Sequence, residues 1–87
     1  MKIMKIVYSE IQEDCDWDGS NTRHFMGENS WAVGEPFAGG FIQGMVYRIV
    51  DDEPGFIDVW VIPKESTKSV LAISFPIHTI QRIYYGE

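Results

Sequence analysis

Asp14, Asp16 and Asp18 alternate along the stretch D-C-D-W-D-G-S-N, and Gly19 follows them. Calcium takes six to eight oxygen ligands, and alternating carboxylates on a tight turn can supply three of them. The glycine permits the sharp bend. An EF-hand loop also needs a bidentate glutamate at its twelfth position; here that residue is Phe25, and Glu28 comes three residues too late. The sequence on either side carries no helical pattern. One reading is a non-EF calcium loop on Asp14, Asp16 and Asp18 that recruits Asn21 or Glu28. The simpler one is an acidic turn whose Asp and Asn side chains bond their own backbone.

Cys15, His24 and His78 are the remaining residues with metal-ligating or nucleophilic chemistry. A structural zinc site needs four ligands at recognisable spacing, and neither C-x-x-C nor H-x-x-H occurs. A Cys–His pair needs a third, orienting group that spacing does not supply. The glycines of G-E-P-F-A-G-G-F-I-Q-G lack the lysine of a phosphate loop and the G-x-G-x-x-G pattern of a dinucleotide fold. They suit a sharp turn into the following strand. The expectation is a protein that is not an enzyme and carries no cofactor.

Net charge is −6, from 13 acidic and 7 basic residues. The basic residues are scattered singly, whereas phosphate binding draws on clustered Lys and Arg. Direct nucleic-acid and anionic-membrane binding are therefore disfavoured. Eight of the 13 acidic residues form two groups, Glu10–Asp18 and Asp51–Glu53, which suit solubility or docking on a basic partner surface. Trp17 lies inside the first group. Trp31 and Phe37 lie in the Gly- and Pro-containing stretch that follows. Aromatic side chains held on loops are frequent binding anchors, although in so short a chain they also serve to cap a core.

A single domain over residues 1–87 accommodates this chain, since a second core would not fit. One cysteine excludes an internal disulfide framework and fits a reducing, cytoplasmic compartment. No apolar run reaches the roughly 18–20 residues of a membrane-spanning helix, and the amino end lacks a secretory signal pattern. Residues 41–87 carry dense β signals and residues 9–40 read as loop-rich. Lys2–Tyr8 alternates as a first strand. Phe41–Asp51 follows as a second, with Gly44 marking a bulge or bend. D-D-E-P-G makes a turn. In Phe56–Ile62, Ile57, Val59 and Val61 form one face. Ser69–Phe75 is a further strand ended by Pro76. Ile77, Ile80 and Ile83 recur every third residue, as suits a short 3₁₀ turn into a closing strand.

Strands in sequence, joined by short turns without a long helix, predict an all-β fold. The architecture expected is a small antiparallel barrel or rolled sheet of about five strands. The order of strands, 3₁₀ turn and closing strand is similar to that of SH3-like and Sm-like small barrels. That resemblance implies fold and not function. In the final strand, one of Tyr84 and Tyr85 must face outward. Such a residue beside an edge strand is compatible with homo-oligomerisation or strand addition.

The functional expectation is a small acidic protein-binding module, a regulator or inhibitor of the phage or mobile-element type. Its partner would be a larger protein or nucleoprotein with a basic surface. The contact residues expected are Asp14, Asp16, Trp17, Asp18, Trp31 and Phe37. The alternatives are the calcium-binding loop and a nucleic-acid-binding small barrel in which Tyr47, Trp60 and Tyr84 stack bases.

Overall fold

The computed structural model describes residues 2–15, 17–39 and 41–86, and within them all side chains except those of residues 11–13, 22–23 and 25–26. Asp16 and Gly40, both named from the sequence, lie outside the described residues.

The described residues form seven strands: β1 (Lys2–Cys15), β2 (Asn21–Ala32), β3 (Pro36–Gly39), β4 (Ile42–Val50), β5 (Phe56–Pro63), β6 (Val70–Pro76) and β7 (Ile80–Gly86). The 3₁₀ turn expected before the last strand is present at Ile77–Thr79. All described pairings are antiparallel, in the order β2-β1-β4-β5-β6, with β3 beside β4 and β7 beside β1. This five-strand path curls into a half-barrel, the all-β architecture the strand pattern predicts.

The meander β4–β5–β6 follows from residue type. Ile57, Val59 and Val61 are fully buried, as their alternation requires. They pack with Val46 and Ile49 of β4, Phe75 of β6, and Ile3, Ile6 and Tyr8 of β1. Phe37 of β3 completes this core, and Trp31, Ile80 and Ile83 pack against its margin. Tyr8 meets Phe75 at 4.5 Å between ring centroids, and Trp31 meets Phe37 at the same separation. These tilted pairs close the concave side of the sheet.

Residues 9–40 are not the loop-rich segment expected from composition. β1 continues to Cys15 and β2 returns beside it, paired from Cys15↔Asn21 back to Lys5↔Ala32. Backbone pairing extends this long hairpin whatever the side chains, and its many polar residues gave no strand signal. Its register slips between Glu10↔Gly27 and Ile11↔Phe25, leaving Met26 as the extra residue. Gly27 adopts φ +116° at this β-bulge, a conformation that favours glycine.

Two further expectations are corrected. Gly44 marks no bulge; the β4–β5 register shifts between Val46 and Arg48, leaving Tyr47 as the extra residue. A Cβ at Gly44 would lie 2.1 Å from the Ile62 carbonyl oxygen, so close backbone approach demands glycine there. Phe41, expected as a strand residue, stands fully exposed in the β3–β4 turn.

The hairpin gives the molecule its shape. At about 3.3 Å per residue, β1 carries Cys15 about 23 Å beyond Tyr8, the last of its described side chains to join the core. The principal extents are 48 × 29 × 22 Å and the radius of gyration is 14.8 Å. A compact chain of this length would have about 12 Å, and the projecting arm accounts for the excess.

Candidate functional site

The arm ends in a turn in which Trp17 is 99% exposed. Asp14 lies at the end of β1, opposite Thr22, and Asp18 lies in the turn itself. Both are exposed. The Ser20 hydroxyl and backbone amide donate to Asp18 Oδ1 at 2.7 and 2.9 Å. These two bonds hold the Asp18 carboxyl below its ordinary pKa, so it remains anionic further into the acid range. The acidic turn in which Asp bonds its own backbone is thus the local structure adopted by Asp18.

Asp14 Oδ2 lies 3.4 Å from His24 Nε2 on the facing strand, with both side chains half-exposed. Imidazole protonation would make this a surface ion pair of little energetic weight. The opening of the D-x-D-x-D-G pattern therefore spans a strand end and a hairpin tip, not one enclosing loop. Among the described residues, no group of three or more His, Cys, Asp or Glu side chains is arranged to hold a metal ion. Cys15 is exposed beside this turn, and His78 lies in the 3₁₀ turn after β6.

Phe37 and Trp31, expected as contact residues, lie together at the core. Phe37 is only 3% exposed and belongs to the core, where it stacks on the half-buried Trp31. The Trp31 indole N–H is buried and makes no hydrogen bond of normal geometry with the described residues. It nonetheless lies near enough to the Tyr8 phenol to favour its ionised form. The Gly- and Pro-containing stretch suggested loop anchors, whereas β3 pairs with β4 and turns Phe37 inward.

Two of the three aromatic residues weighed for base stacking, Trp60 and Tyr84, already meet cations of this chain. The Arg48 guanidinium lies 5.7 Å from the Trp60 ring centre, and Lys5 Nζ lies 5.8 Å from that of Tyr84. Tyr47 is exposed at the β4 bulge. Tyr84 and Tyr85 are both about half-exposed on β7, which pairs with β1.

At the opposite end of the molecule, an open groove of about 440 Å³ is lined by Lys2, Arg48, Asp51 and Asp52 together with Met4 and Tyr47. It mixes both signs of charge and selects no ligand class. Phe41 is the exposed aromatic side chain that sequence reasoning missed. The glycine pair that precedes it in the sequence was its signal, since glycines favour turns.

No protein-family model, curated protein or solved structure matches the chain. Among the described residues, no helix is long and apolar enough to cross a membrane.

Proposed function

We propose that this is a non-enzymatic, acidic protein-binding module that docks through the tip of its β1–β2 arm. Trp17 is the anchor. Asp14 and Asp18, close to it in sequence and exposed, supply negative charge beside it. The partner is a larger protein or nucleoprotein offering an apolar pocket with basic edges, and the module acts on it as a regulator or inhibitor of the phage or mobile-element type.

The observation that carries this reading is a fully exposed tryptophan on an arm projecting about 23 Å beyond the core. Scattered exposed apolar side chains are ordinary, but a tryptophan ring left wholly in water is a large unburied area. A ring of 150–250 Å² is worth roughly 4–6 kcal/mol when transferred from water to an apolar pocket. Ordering and orientation costs offset part of that, leaving the few kcal/mol typical of an interface hot spot. The carboxylates would speed encounter with a basic surface and make it salt-sensitive.

Affinity capture from the native host, comparing the natural protein with Trp17→Ala and with Asp14→Lys/Asp18→Lys, tests this. Trp17→Ala should lose a captured partner by about a hundredfold in affinity, as a hot-spot residue does. Its unfolding free energy should stay within about 0.5 kcal/mol of the parent, because the side chain touches little. Equal capture by all three proteins would sink the proposal.

A further inference from the structure

Among the described residues, β6 has a hydrogen-bonded neighbour, β5, on one side only. Edge strands in soluble proteins are ordinarily protected by charged residues, by an interior proline or by a covering element. This one lacks charge altogether. From Ser69 to Gln81 the sequence contains no Asp, Glu, Lys or Arg. Val70, Leu71 and Ile73 are each more than a third exposed. Ile73 shares the concave face with Val59, its cross-strand partner, whereas Leu71 stands opposite Trp60 on the other face. The β5–β6 register shifts between Val59 and Trp60 and leaves Ala72 as an extra residue in β6. Pro76, which cannot donate to a ladder, stands at the strand's far end; residues 70–71 and 73–75, on either side of the bulge, remain able to pair.

The two ends of β6 differ in charge. Its beginning follows the turn that carries Lys64, Glu65 and Lys68, which is net positive. Its end adjoins the β4–β5 turn, where Asp51, Asp52 and Glu53 are exposed and the Ile77 amide donates to the Gly55 carbonyl at 2.8 Å. A second copy laid antiparallel along this edge brings the lysines of each chain toward the acidic turn of the other. The lateral offset is about two strand spacings, roughly 10 Å, within reach of flexible lysine side chains. A parallel arrangement would instead juxtapose like charges.

We infer that the free edge of β6 is a homodimer interface, in which two copies pair β6 with β6 antiparallel about a two-fold axis. The sheet then runs continuously as β4-β5-β6-β6-β5-β4, and the apolar side chains Leu71 and Ile73 meet their counterparts on the two faces. The interface is self-complementary, as a two-fold demands. It is independent of the arm tip, so its failure and the failure of the docking proposal are separate results.

Sedimentation velocity on the whole protein, from low micromolar to a few hundred micromolar concentration, tests the pairing. The expected result is conversion from one-chain to two-chain mass. Leu71→Lys should remain monomeric throughout while keeping the parent's circular dichroism. A second pair of variants reads the orientation. Lys64→Glu/Lys68→Glu and Asp52→Lys/Glu53→Lys should each weaken self-association about tenfold or more by placing like charges together. Mixed in equal amounts, they should form a heterodimer, since each supplies the charge the other lost. A parent protein that is monomeric at every concentration overturns the inference. So does a dimer that survives Leu71→Lys, or a mixture that associates no better than its components.

Discussion

Tyr8 is the residue at which core and arm meet. Burial, first, and the neighbouring Glu10 charge, second, raise its phenol above the ordinary tyrosine pKa, while the Trp31 indole acts in the opposite direction. The folded state thus prefers the neutral phenol. That contribution is fully present below the unfolded pKa of about 10 and is lost as pH rises through the higher folded value. Thermal melts between about pH 8 and about pH 12 should show alkaline destabilisation in the parent protein. Tyr8→Phe should flatten that limb; an unchanged limb would mean another group carries it. The aromatic residues also show how far residue type alone informs. Trp17 was legible as an exposed candidate because four of its neighbours are polar or glycine and none belongs to an apolar run. Phe37 was not, since its Gly- and Pro-containing surroundings look the same whether β3 turns the ring inward or outward.

At the scale of elements, alternation gave the meander and missed the arm. β5 buries Ile57, Val59 and Val61 on one face, and a period of two records that burial directly. Beyond Tyr8, none of the described β1 side chains belongs to the core, so no alternation need be written into that half of the hairpin. Ladder hydrogen bonds extend it regardless of side-chain polarity. Gly44 illustrates the same limit within the meander. Its role is set by the Ile62 carbonyl on the adjacent strand, a contact that local sequence does not contain. Gly44→Ala should therefore destabilise by about 3 kcal/mol, because the clash is with backbone and cannot be relieved by a rotamer change. Denaturant unfolding measures this; a loss below about 0.5 kcal/mol would mean the β4–β5 spacing relaxes easily.

Across the whole molecule, the two acidic groups are distant from one another. Ile3 of β1 pairs with Ile49, just before the Asp51–Glu53 turn, and the arm tip follows Cys15 at the other end of the strand. Twelve residue steps of β1 separate them by about 40 Å, several times the Debye length of about 8 Å at physiological salt. They therefore act as two surfaces and not as one negative face. Asp52→Lys/Glu53→Lys should leave binding of a captured partner to the arm tip within about twofold of the parent. Asp14→Lys/Asp18→Lys should likewise leave the sedimentation behaviour unchanged. Titration of partner against each variant, alongside sedimentation, checks both; coupling well beyond twofold would show that the ends communicate.

The sequence by itself determined the all-β class, the meander, the closing 3₁₀ turn and an acidic turn around Trp17. Each is written in local terms: apolar alternation, turn residues, a proline that ends a ladder, and charge density. Tertiary structure decided the length of the arm, the inward turn of Phe37, the need for glycine at position 44 and the open edge of β6. These depend on which backbone lies alongside which, and cross-strand pairing leaves little trace in a strand that has no buried face. The D-C-D-W-D-G-S-N stretch belongs to both accounts. Its chemistry was readable from the first residue, but only the paired strands behind it place that chemistry at the end of a projecting arm.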